Sequence, residues 1–167
     1  MSFAVWLTGL PACGKSAIAR ELLRRLHESR VDAAVLESDV MRTQLTPFPR
    51  YDEADRDFFY AALADLGILL VRRGRPVIFD ATANRRRYRD AARAGIDRFC
   101  EVHVDTRVEV CRSRDPKGLY RSGRLADLAY EPPARAELIV SGERLTPAQA
   151  AEDIVAYLLA RRWLSQG

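Results

Sequence analysis

Lysine is nearly absent from this chain. Of 27 basic residues only Lys15 and Lys117 are lysine and 25 are arginine, so a retained lysine invites a local reason. Cysteine is scarce too. Cys13, Cys100 and Cys111 form an odd set without metal-like spacing, which excludes a disulfide framework and a zinc module. No apolar run approaches the roughly 20 residues of a membrane span. The apolar start leading into Leu10-Pro11-Ala12-Cys13 has the letters of a lipoprotein signal but no basic leader, so a cytoplasmic, reducing setting is expected. Internal repeats, low-complexity stretches and linkers are missing as well, and 167 residues are read as a single domain over 1–167.

What remains is an ordinary globular composition, 48% hydrophobic and 30% charged. The net charge of +4 suits anionic ligands without separating nucleotides from nucleic acid. The informative stretch is at the start. A short apolar strand over residues 3–7 runs into Gly9-Leu10-Pro11-Ala12-Cys13-Gly14-Lys15-Ser16, which fits the phosphate-binding loop G-x-x-x-x-G-K-[ST], and a helix follows. Gly9 and Gly14 let the backbone curl so that its N–H groups face phosphate oxygens. The helix start adds the positive end of its dipole. Lys15 can bridge the outer phosphates and the Ser16 hydroxyl can ligate Mg²⁺. Residues Gly9 to Ser16, with Ala17, are therefore the expected site for ATP and Mg²⁺. Cys13 reads as a small filler of the loop or a reactive thiol at a helix start.

Further strands are expected over residues 31–37, 75–80, 99–104 and 137–140. Helices should fill 17–29, 52–73, 84–95 and the stretch from about 107, with Asn84 capping the third of these. Thr146-Pro147-Ala148-Gln149 opens a last helix with a capping box and proline at its first position. Residues 115–133 lose apolar periodicity and read as a short lid. This alternation predicts a three-layer α/β/α P-loop NTPase domain with a five-stranded, mainly parallel sheet. Ligands of such sheets bind beyond the carboxyl ends of the strands, which collects the phosphate loop, Ser38-Asp39 and Asp80 on one rim.

Phosphoryl transfer needs a carboxylate to orient the attacking hydroxyl and cations for the moving charge. Asp39 and Asp80 are the candidates, and each could instead cap a helix. Arg42 follows Asp39 by one helical turn. Arg85, Arg86, Arg87 and Arg89 crowd a helix start, where each exposed positive charge costs about 0.3–1 kcal/mol against the dipole, so a bound anion is expected there, the alternative being a solvated basic face. Arg112 and Arg114 precede the lid and could reach the nucleotide. No Asn-Lys-x-Asp segment reads guanine, which favours ATP over GTP.

On these residues the chain resembles the adenylylsulfate (APS) kinases. Residues 104–124, with the run Arg114-Asp115-Pro116-Lys117-Gly118-Leu119-Tyr120, and residues 130–140 are similar to that family's lid and final strand. Asp39 and Arg42 match its Asp-x-x-Arg, Asp55 and Arg56 its Asp-Arg pair, and Arg86 and Arg89 its arginines after the third strand. The resemblance implies transfer of the ATP γ-phosphate to the 3′-hydroxyl of APS, with Lys15, Asp39 and Asp80 in the chemistry. Asp39, Arg42, Arg56, Arg86, Arg89 and Lys117 would hold the acceptor. There are departures. Ala81-Thr82-Ala83-Asn84 replaces Phe-Ile-Ser-Pro, Phe59-Tyr60-Ala61-Ala62 replaces Asn-Ile-Arg-Arg, and the lid has no aromatic insert. Asp80-Ala81-Thr82 is similar instead to polynucleotide-kinase-like proteins. A sugar, an antibiotic or a 5′-hydroxyl polynucleotide end stays open as acceptor, as does a non-catalytic nucleotide-binding protein. A small-molecule acceptor is expected rather than nucleic acid, without a membrane, and a homodimer is compatible with the sequence.

Overall fold

The computed structural model describes residues 2–123 and 129–165. Residues 124–128 of the expected lid lie outside the described residues. The strands are β1 (Ala4–Thr8), β2 (Ala34–Glu37), β3 (Val77–Asp80), β4 (Phe99–Asp105) and β5 (Leu138–Ser141). The helices are α1 (Lys15–Glu28), α2 (Ser38–Leu45), α3 (Glu53–Arg72), α4 (Arg86–Gly95), α5 (Val108–Arg114) and α6 (Pro147–Ala160). The strands form one sheet in the order β2-β3-β1-β4-β5, and every pairing is parallel. This is the expected α/β/α P-loop fold.

Alternate residues of the central strands serve opposite faces, as a pleated strand requires. Val5, Leu7, Ile78, Val102 and Val104 join Ile18 and Leu22 of α1 and Ile154 and Leu158 of α6 in one core. Ala4, Trp6, Val77, Phe79 and Phe99 join Phe59 and Leu63 of α3 and Tyr88 and Ala92 of α4 in the other. Trp6 is fully buried, stacks on Phe79 at 4.3 Å, and places its indole N–H on the Ala81 carbonyl at 3.0 Å. A buried indole needs that partner. Cys100 and Cys111 are core thiols, and burial pushes the Cys111 thiol up to about 11.

Helix ends follow local chemistry. Asp52 caps α3 by accepting from the Asp55 N–H at 2.8 Å. Thr146 and Gln149 form the capping box of α6, with Pro147 in its first turn. Asn84 does not cap α4: the capping position is Arg85, without a side-chain cap, and Asn84 donates to the Ala129 carbonyl at 3.3 Å. α2 begins directly after β2, so Asp39 lies in its first turn. Among the described residues no helix is long and apolar enough to cross a membrane.

Candidate active site

β1 ends at Thr8, and the chain turns at once into the phosphate loop. Gly9, Ala12 and Gly14 all have positive φ, and a Cβ on Gly9 would lie 2.6 Å from the Val104 carbonyl and 2.7 Å from the Cys13 sulfur. Only glycine fits there. Cys13 is fully buried beneath the loop. The loop is braced from below, where the Thr106 hydroxyl donates to the Cys13 carbonyl at 2.9 Å. Gly142 presses against the same two groups, leaving no room for a side chain.

Lys15 is 8% exposed and folds back over the loop, its Nζ donating to the carbonyls of Gly9 at 3.1 Å and Leu10 at 2.9 Å. α1 has no side-chain cap and no acidic residue in its first turn. Its orphan N–H groups and dipole therefore meet no negative charge of their own, which fits a phosphate. The donor set passes the same test, because loop amides, an ammonium and the Ser16 hydroxyl suit an anion and its Mg²⁺. Arg114 donates to the Gly142 carbonyl at 2.8 Å, and its Nη1 lies 4.0 Å from where a Gly14 side chain would begin. Its charge therefore stands over the loop. Arg112, at the same end of α5, is exposed.

The opposite wall is acidic. β3 lies between β1 and β2, so Asp80 neighbours Leu7 on one side and Glu37 on the other. Asp80 is 4% exposed. Asp39 follows two residues after Glu37 and is paired with Lys117. That hydrogen bond comes first in holding the Lys117 ammonium above its usual range, against the opposing effect of burial; the charges of Asp39, Glu37 and Asp80 add to it.

The loop carrying Lys117 is folded around a single carboxylate. Asp115 is buried and accepts from the N–H groups of Leu119 at 2.7 Å, Tyr120 at 3.2 Å and Arg121 at 3.1 Å. Burial alone would raise its carboxyl, but those N–H groups outweigh it and hold the group below the ordinary range. The Tyr120 hydroxyl then donates to the Pro11 carbonyl at 2.9 Å, tying this loop to the phosphate loop.

The sequence pattern of the adenylylsulphate kinases matches residues 1–141. The chain belongs to the adenylylsulphate kinase family. It is similar to the probable adenylyl-sulfate kinase of Halalkalibacterium halodurans, 35% identical over 96% of this chain and 84% of the relative. The adenylyl-sulfate kinase of Rippkaea orientalis is also 35% identical, over 80% of this chain and 78% of the relative. Among solved structures, the Mycobacterium tuberculosis APS kinase CysC in complex with AMPPNP and APS superposes with a TM-score of 0.86. It is 30% identical and the match covers 95% of this chain and 98% of that one.

Within this adenylylsulphate kinase framework, the departures have visible uses. Phe59, where the family pattern has asparagine, lies under the Arg42 guanidinium at 4.0 Å, and Tyr51 lies 5.5 Å from the same cation. Arg42 also meets Asp55 at 3.4 Å. Tyr60 is buried, stacks on Tyr88 at 4.5 Å, and accepts from the Ala83 N–H at 3.1 Å; burial raises its hydroxyl pKa. Among the described residues Arg56 has no ion pair, so its charge remains available to an anion.

The arginines of α4 require a correction. Arg89 was expected to hold substrate, but it is 1% exposed and wholly engaged within the fold. It donates to Glu101 at 2.6 Å, to the Glu131 carbonyl at 2.7 Å and to the Ala83 carbonyl. Arg86 reaches the Pro132 carbonyl at 2.6 Å, Arg85 pairs with Glu131 at 3.2 Å, and Arg87 pairs with Asp57. The anion inferred at this helix start is the protein's own, since Glu131 accepts the Arg86 backbone N–H at 2.8 Å. Reasoning from sequence missed Glu131, Asp115 and Glu37. The uncompensated arginines were a signal for the first, and Asp-x-x-Gly was a turn signature for the second.

Proposed function

We propose that this chain is an ATP-dependent kinase that transfers the γ-phosphate of ATP to the 3′-hydroxyl of adenylylsulfate. The observation that carries the acceptor side is the meeting of Lys117 with Asp39, because it joins two family motifs that are remote in sequence. On the donor side, the uncapped start of α1, Lys15 and Ser16 would hold the triphosphate and Mg²⁺. When bound, Mg²⁺ screens the charge on the phosphates. Arg114 stands where it can add a second cation over the loop.

Asp80 is assigned the proton of the attacking hydroxyl. It lies between the strand that feeds the phosphate loop and the strand that feeds Asp39, so an acceptor spanning both sides passes it. The Asp39 carboxylate is already occupied by Lys117. Arg42 and Arg56, with Lys117, would grip the acceptor's charge.

One observation favours a second reading, a kinase for another small hydroxyl compound. Ala81-Thr82-Ala83-Asn84 stands after Asp80 where the family pattern has Phe-Ile-Ser-Pro, so small and polar side chains replace bulky apolar ones beside that carboxylate. One experiment decides between them. ADP release is measured with ATP and Mg²⁺ across APS, sugar acids, nucleosides and 5′-hydroxyl oligonucleotides, with Lys15→Ala as the inactive control. Saturable turnover on APS alone is expected, and silence on APS with turnover elsewhere selects the second reading.

A further inference from the structure

Two helix starts flank the cleft, and they are finished differently. The start of α1 carries no negative group of its own, whereas the start of α4 is closed by Glu131. Glu131 belongs to residues 129–132, where the chain returns from the lid. This short strap is stitched down along its length. The Glu131 N–H donates to the Asn84 carbonyl at 2.8 Å, and its carbonyl accepts from Arg89. The Pro132 carbonyl accepts from Arg86, and the Ala129 carbonyl from Asn84.

The strap also reaches the chemistry. The Tyr130 hydroxyl lies 3.1 Å from the Thr8 hydroxyl, which donates to the Thr82 carbonyl at 2.6 Å. Thr8 is the last residue before Gly9, and Thr82 follows Asp80 by two positions. The strap therefore joins the phosphate loop, the Asp80 turn and α4.

We propose that Glu131 is a positioning residue for the acceptor half of the site: its carboxylate, held by the Arg86 N–H and the Arg85 guanidinium, locks the lid's return strap onto the start of α4 and so fixes the Asp80–Thr82 turn beside the phosphate loop. A turn held in place before the acceptor arrives has less freedom to lose on binding. The carboxyl is held below its usual range first by the Arg86 N–H and then by Arg85. This role rests on the kinase reading above.

The test uses the full chain with Glu131→Ala and Glu131→Gln. Removing the side chain leaves a carboxylate-sized gap at the α4 start, lined by Arg85. Acceptor KM is expected to rise about tenfold in both variants, while the ATP KM stays within about twofold. Added acetate should restore Glu131→Ala but not Glu131→Gln, whose amide still fills the gap; chloride at the same ionic strength should restore neither. Hydrogen exchange over residues 82–90 and 129–135 should quicken in Glu131→Ala and slow again with acetate.

Absence of acetate rescue, a parallel rise in the ATP KM, or unchanged exchange overturns the proposal. The exchange arm needs no acceptor. Silence of the wild-type enzyme on APS, with the expected exchange pattern, would refute the acceptor reading alone. Turnover on APS unaffected by either variant would refute the positioning role alone.

Discussion

Lys117 and Asp39, 78 residues apart in sequence, form an ion pair across the mouth of the site. Both side chains are more than half exposed, at 53% and 62%, so solvent screens their attraction. A pair of this kind does little for the fold. It places one of the chain's two lysines beside three carboxylates, Glu37, Asp39 and Asp80, where an anionic acceptor can exchange places with them.

Lys117→Met is therefore expected to leave stability within about 1 kcal/mol of wild type. The acceptor kcat/KM should fall about 100-fold, the loss typical of one preorganised electrostatic contact. Thermal melts and ADP-release kinetics read the two quantities separately. A variant that melts early but turns over normally would place Lys117 in the scaffold instead.

Arg89 and Arg56 should behave in opposite ways. Removing the Arg89 guanidinium leaves Glu101, itself 5% exposed, short of a partner, although Arg93 still meets it at 3.1 Å. Breaking a buried pair costs about 3–5 kcal/mol, so Arg89→Met should melt far below wild type. Arg56→Ala should hardly change the melt and should raise the acceptor KM. Denaturant titration beside steady-state kinetics checks both, and equal melts for the two variants would contradict the assignment.

The legibility of this chain followed the locality of its signals. The phosphate loop could be read because its backbone demands glycine and its charge demands lysine within eight residues. The Thr146–Gln149 capping box and the apolar strands are likewise local. Arg89 was misread because its partner, Glu101, sits in a different element. Glu101 was nonetheless conspicuous, a charge within the buried strand Phe99-Cys100-Glu101-Val102, and a buried charge requires a partner. Glu131 left no such mark. It lies among prolines in a segment without periodicity, and only the dipole problem at Arg85 to Arg87 pointed to an anion. That anion proved to be covalently part of the chain.

The Asp115 loop gives a pH-dependent expectation. Its carboxyl is held below the ordinary range by three N–H groups that outweigh burial, so the folded state binds this proton less readily than the unfolded chain. The stabilisation is complete above the unfolded value near about pH 4 and is lost as pH falls through the lowered folded value. Asp115→Asn turns an amide NH₂ toward N–H donors and should lose the stabilisation at every pH. Denaturant midpoints of the two proteins should therefore differ at neutral pH and converge on acidification. A constant gap down to the acid limit would show that the carboxylate's charge is not what orders the loop.

The two aspartates on the rim are separable by what each is bonded to. Asp39 is engaged with Lys117, and neutralising it should mainly loosen the acceptor's grip. Asp39→Asn is thus expected to raise acceptor KM with kcat reduced about tenfold or less. Asp80 has no ion pair among the described residues and lies between the ends of β1 and β2. If it accepts the hydroxyl proton, Asp80→Asn should lower kcat by about 10²–10⁴, the usual weight of general base catalysis, with acceptor KM nearly unchanged. Single-turnover rates for both variants decide the matter. A far larger loss of kcat in Asp39→Asn than in Asp80→Asn would move the base to Asp39 and leave Asp80 the task of orienting the acceptor.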